Sequence, residues 1–291
     1  TTLSLMLSKL MKSIFQKTNL VCLATTLLVS CAAQNQIKQE TANESSQTPG
    51  TLALVANGED FVRNGFVTKD NWQIDFDKVY VTLTDVKAYQ TSSPFEPESD
   101  NEIEAEEEVT LIAAPETVDL AAGASDADPI LVTEKEVPPG TYNALAWKLA
   151  KAESGEAEGN TIVLAGQAKK ENQTVDFQIK LNPQANYTCG EFVGEDRKGI
   201  VQSEQQAEVE TTFHFDHIFG DAEAEADEEI NQGAIGFEPL AALAENGKLN
   251  VDQTTLKSQL SDQDYQTLEK ALIGLGHVGE GHCLYESGNK E

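Results

Sequence analysis

The sequence predicts a mainly β protein, an antiparallel β-sandwich with a small helical C-terminal appendage. Three observations carry this reading. Apolar and polar residues alternate over several short runs. Turn residues separate the runs. Helical spacing appears only after about Ala234.

The expected body spans residues 51–233. Val79, Val81 and Leu83 point one way along the chain and Tyr80, Thr82 and Thr84 the other. Val137-Pro138-Pro139-Gly140-Thr141-Tyr142 reads as a turn feeding a strand through Ala144, Ala146 and Leu149. Ile162 to Ala168 and Thr174 to Leu181 form a hairpin across Lys169-Lys170-Glu171-Asn172-Gln173. Val209, Thr211, Phe213 and Phe215 make a further alternating face. Trp72, Tyr142 and Trp147 read as core residues rather than as a carbohydrate-binding face.

Two acidic stretches, Glu96 to Glu108 and Asp221 to Glu229, read as solvated loops, since neither has the ordered spacing and glycine of a calcium loop. Gly194-Glu195-Asp196-Arg197-Lys198-Gly199 reads as a charged turn. In the expected appendage, 234–291, Pro239 to Glu245 is a short helix stopped at Asn246-Gly247. Asp252 caps Gln253 to Leu260, and Ser261 caps a helix carrying Tyr265, Leu268 and Leu272.

The N-terminal end carries an address. Lys12 and Lys17 precede an apolar run from Leu20 to Leu28, and Leu28-Val29-Ser30-Cys31 follows it. The run is shorter than the roughly 20 residues a bilayer-spanning helix needs. This arrangement resembles the signal and lipobox of bacterial lipoprotein precursors. The resemblance implies that residues 1–30 are removed, with Met11 as the start, and that Cys31 is lipidated and becomes the first mature residue. Ala32 after the cysteine implies sorting to the outer membrane where the organism has two. Residues 31–50 then form the anchor and a polar tether, with no apolar periodicity from Gln34 to Gly50. The expected location is the periplasmic side of the envelope or the cell surface.

Thr82-Leu83-Thr84-Asp85-Val86, Thr117-Val118-Asp119-Leu120 and Pro139-Gly140-Thr141-Tyr142 give the body a second resemblance, to an uncharacterised family of secreted bacterial β-sandwich domains. That resemblance implies a fold and no activity.

The formal net charge is −29. Without residues 1–30, which contain Lys9, Lys12 and Lys17 and no acid, 17 of the 20 basic residues face all 49 acids, a net charge of −32. Such a chain is unsuited to nucleic acid. Cys189 and Cys283 remain after Cys22 leaves with the signal and Cys31 takes lipid. In an oxidising compartment they read first as a disulfide, and otherwise as a metal ligand or reactive thiol.

All four histidines fall in two clusters, His214-Phe215-Asp216-His217 and His277-Val278-Gly279-Glu280-Gly281-His282. Alternation puts His214 and Asp216 opposite Phe213 and Phe215, and His217 joins them only where the strand bends or ends. Gly276, Gly279 and Gly281 suggest a flexible loop in the second cluster. Imidazoles with carboxylates suit a divalent transition metal, Zn²⁺ or Cu²⁺ first. Both methionines precede Cys31, which excludes a methionine-rich Cu(I) carrier.

The candidate ligands are therefore His214, Asp216, His217, His277, Glu280 and His282, in a protein that captures, buffers or delivers metal. The alternative is a non-enzymatic structural or adhesive envelope module that recognises a glycan or protein. A hydrolase or oxidase finds no support: there is no G-x-S-x-G elbow, H-E-x-x-H, P-loop or dinucleotide fingerprint.

The lipobox is directly testable. Cys31→Ser is expected to abolish fatty-acid labelling and release the protein from the membrane fraction. A Ser variant that still labels contradicts the lipobox.

Overall fold

The computed structural model describes residues 48–93, 95–99, 102–190, 199–279 and 281–287. Cys31 with its signal, nearly all of the tether, the charged turn at 194–198 and Glu280 lie outside the described residues. Strand makes up 48% and helix 18% of the described residues, so the protein is mainly β, a sandwich with a few short helices.

The strands in chain order are β1 (Gly50–Asn57), β2 (Phe66–Val67), β3 (Gln73–Thr91), β4 (Ala105–Ile112), β5 (Glu116–Asp119), β6 (Ile130–Val137), β7 (Gly140–Leu149) and β8 (Ile162–Lys170). They continue as β9 (Gln173–Leu181), β10 (Ala185–Cys189), β11 (Ile200–Val201), β12 (Gln206–Phe213), β13 (Lys248–Asp252), β14 (Gly276–Val278) and β15 (Gly281–Ser287). The α-helices are α1 (Glu59–Asn64), α2 (Asp216–Phe219), α3 (Glu229–Gly233), α4 (Glu238–Ala241), α5 (Gln253–Gln259) and α6 (Asp262–Ile273).

Hydrogen bonding runs in the order β13-β9-β8-β3-β7-β10-β15-β14-β12-β1-β6. The 19-residue β3 is the spine of this path. Its first half pairs with β8 and its second half with β7 and β4. The change of partner coincides with register shifts around Val86 and with a positive φ of 49° at Asp85, which bend the strand. The predicted hairpin is β8–β9, closed by Glu171 and Asn172, with Glu171 taking the positive φ that a tight turn needs.

The inward faces meet in one core that includes Leu52, Leu54, Ile74, Val81 and Leu83. Trp72, Tyr142 and Trp147 are within 1% of full burial, which settles them as packing residues. Phe76 packs edge-on to Phe177 at 5.9 Å and lies 6.4 and 6.3 Å from Phe215 and Phe219. Burial of each such ring contributes roughly 1.5–3 kcal/mol, so this cluster anchors the turn after β12.

Two local expectations differ from the structure. Glu106, Glu107 and Glu108 belong to β4 rather than to a loop. Glu107 and Glu108 pair with Gln90 and Tyr89, and the Glu108 carboxylate meets Lys87 at 2.6 Å. Cross-strand pairing and that ion pair hold an acidic run extended. The C-terminal segment carries the expected helices α5 and α6, and it also contributes strands. β13 lies parallel to β9, β14 pairs with β12, and β15 pairs with β10.

Both predicted caps are present. Asp252 accepts from the Thr255 amide at 2.7 Å and Ser261 Oγ from the Asp264 amide at 3.1 Å. The Thr255 amide bond holds the Asp252 carboxyl below the usual carboxylate range. A depressed folded-state pKa gives stability that is present above the unfolded value, about 3.9, and lost as pH falls through the folded one. Asp252→Ala is therefore expected to cost about 1 kcal/mol at pH 7, with the gap from wild type narrowing below about pH 4. Urea denaturation at pH 7 and pH 3 checks it; a gap that widens in acid contradicts it.

Candidate metal centre

The site lies where the last strands meet. β12 pairs antiparallel with β14, placing Thr212 opposite His277 and Phe213 opposite Gly276. β14 pairs with β15, placing His277 opposite His282. The two histidine clusters, about 60 residues apart in sequence, therefore share one sheet corner. Cys189 and Cys283 are directly opposed in the β10–β15 ladder and form a disulfide, with Cα atoms 4.4 Å apart.

The second cluster is expected from its glycines to be a flexible loop, but it forms the hairpin β14–β15. Its glycines serve close packing and turning. A Cβ on Gly276 would lie 2.6 Å from Tyr187 Cε1, so only glycine lets the strand cross that buried ring. Gly279 turns the chain with a φ of 54°. Burial holds the Tyr187 hydroxyl far above its ordinary range, so it stays protonated.

The first cluster is shaped by where β12 stops. The strand ends at Phe213, and Phe215, Ile218 and Phe219 are buried. The His217 amide donates to His214 O at 3.2 Å, closing the turn into α2. The helix stops at Gly220, whose φ is 69°. With the aromatic residues anchored inward, one potential ligand atom from each of His214, Asp216 and His217 falls within a 4.8 Å group.

His214 is 9% exposed and His277 4%. The rings of His214 and His277 lie 4.2 Å apart, tilted by 31°, and the His217 ring lies 5.6 Å from His214 and 5.1 Å from His277. Each imidazole has one nitrogen on a backbone carbonyl. His217 Nδ1 meets Gly274 O at 3.1 Å, His277 Nε2 meets the same oxygen at 3.3 Å, and His214 Nε2 meets Gly279 O at 3.2 Å. A carbonyl only accepts, so each of these nitrogens is the donor. The lone pair of each neutral ring is then on the other nitrogen: Nδ1 of His214 and His277, Nε2 of His217.

Of the six residues expected as ligands, the structure thus brings potential ligand atoms of His214, Asp216 and His217 together, with the His277 ring beside them. His282 is placed by strand register alone, opposite His277; Glu280 is outside the described residues. Sequence reasoning missed two carboxylates. Glu59 Oε1 lies 3.6 Å from His214 Nε2, and the Glu210 carboxylate, on a residue only 6% exposed, accepts from Asn57 Nδ2 at 3.1 Å and Thr212 Oγ1 at 3.0 Å. The period of two that joins Glu210, Thr212 and His214 was the available signal for Glu210. Nothing local marked Glu59.

Fold and site together define a β-sandwich with a part-buried histidine–carboxylate cluster at a sheet corner. The chain belongs to the family described as domain of unknown function DUF4382, whose family model matches residues 69–224. The match takes in His214, Asp216 and His217 and stops short of β14 and β15. No curated protein and no solved structure matches the chain.

Proposed function

We propose that this protein binds a divalent transition metal through His214, Asp216 and His217, and that it does so at the bacterial envelope, held by lipid on Cys31. One observation carries the metal reading: one potential ligand atom from each of the three residues falls within a 4.8 Å group, and each histidine has a ring nitrogen on a backbone carbonyl. Such hydrogen bonds fix tautomer and ring direction in metal sites and raise the basicity of the ligating nitrogen. Two imidazoles and a carboxylate suit Zn²⁺ or Cu²⁺. The role this supports is capture, buffering or delivery.

The anchor rests on the lipobox resemblance. Among the described residues no helix is long and apolar enough to cross a membrane.

The full-length protein, stripped with chelator and titrated with zinc, is expected to bind one equivalent and to melt at a higher temperature with excess metal. Binding should weaken in acid, because protons compete with the metal for the imidazole lone pairs. His214→Ala and His217→Ala should each weaken binding, and the double variant should lose less than the sum, because both serve one ion. Equal zinc uptake by wild type and the double variant contradicts the assignment.

A further inference from the structure

We propose that Glu59 is a positioning residue: a ring of polar contacts that holds its backbone amide sets its carboxylate against His214 Nε2, which leaves Nδ1 of that ring for the metal. The inference rests on the metal reading above and extends it to residues outside the donor set.

The ring can be followed atom by atom. The Gly279 amide donates to Thr212 Oγ1 at 2.9 Å, and that hydroxyl donates to Glu210 Oε1 at 3.0 Å. Asn57 Nδ2 donates to the same oxygen at 3.1 Å. Asn57 Oδ1 accepts from the Glu59 amide at 3.1 Å. The Glu59 carboxylate faces His214 Nε2 at 3.6 Å, and that nitrogen meets Gly279 O at 3.2 Å, which closes the ring. Four parts of the chain contribute: the end of β1, the start of α1, the polar face of β12 with His214 just beyond it, and the β14–β15 turn.

The ring has a directional consequence. A carboxylate and a carbonyl both face His214 Nε2, and both only accept. They favour a proton on that nitrogen and a lone pair on Nδ1. A carboxylate behind a ligating imidazole also raises its basicity, and loss of such a partner typically weakens metal binding 10- to 100-fold.

The backbone of Glu59 indicates that its side chain matters. Its φ is 63°, in the left-handed region where glycine is at ease and a side chain is strained. Asn57 holds the residue there through its amide. A packing role alone would favour glycine, which follows the chain without strain but brings no carboxylate.

The test uses the full-length protein with Glu59→Gly and Glu59→Ala. Zinc affinity is read by competition with a chromophoric chelator. The tautomer of His214 is read from imidazole ¹⁵N shifts in the zinc-free protein at pH 8. Wild type is expected to hold the proton on Nε2. Both variants are expected to bind zinc 10- to 100-fold more weakly and to populate the Nδ1-protonated form of His214. Glu59→Gly should melt no lower than wild type, because it relieves the positive φ, so its lost affinity is not a folding defect. Affinity within twofold of wild type in both variants, or an unchanged tautomer, overturns the proposal. A wild type that takes up no zinc defeats the metal reading, and the tautomer comparison then decides the role of Glu59.

Discussion

Strand β15 is hydrogen-bonded along both edges, to β10 on one side and β14 on the other, and the rest of the site depends on that pairing. It joins β10-β7-β3-β8-β9 to β14-β12-β1-β6 in one path. Through it the hairpin that carries His277 and the Gly279 carbonyl is held against the end of β12. The pairing is costly to reach, because β10 and β15 are far apart in sequence and closing long loops loses chain entropy. The Cys189–Cys283 disulfide offsets part of that loss. For a sequence separation of 94 residues, the chain-entropy account gives roughly 4–5 kcal/mol. The bond sits inside the β10–β15 ladder, so it reinforces the register that the site requires.

The site concentrates polar groups where a sandwich ordinarily buries apolar ones. Glu210, Thr212, His214 and His277 are all buried. A buried polar group left without a partner costs roughly 1–3 kcal/mol. Backbone supplies much of the compensation here. The Gly274 carbonyl meets two imidazoles, Gly279 gives both its amide and its carbonyl, and Thr212 and Asn57 converge on Glu210. Apolar anchoring sets the direction of the donors: Phe215, Ile218 and Phe219 face the core, and Asp216 and His217 are left beside His214.

Much of the fold was legible because its signals are local. Alternation from Val79 and from Thr174, the turn at Glu171-Asn172, and the caps Asp252 and Ser261 each rest on a few neighbouring residues. Two body cysteines in an expected oxidising compartment were enough for the disulfide. The site was half legible. Clustering picked out the histidines, and the end of β12 at Phe213 met the condition set for His217. What local pattern could not give was partnership. Glycines at 276 and 279 look like flexibility until a Tyr187 ring lies across one of them. The polar face of β12 looks solvent-facing until a hairpin from the far end of the chain covers it. Glu59 acquires meaning only because β1 lies parallel to β12 in a register that sets Asn57 opposite Thr212.

The central claim is that long-range strand pairing builds a metal site from residues that are separate in sequence. A crystal of the chelator-stripped protein soaked in zinc, with anomalous data collected on both sides of the zinc edge, tests it most directly. The account predicts one strong anomalous peak bounded by His214, Asp216 and His217, with Gly274 O still bonded to His217 Nδ1. A peak held only by the acidic surface stretches, or no peak at the β12–β14 corner, would contradict it.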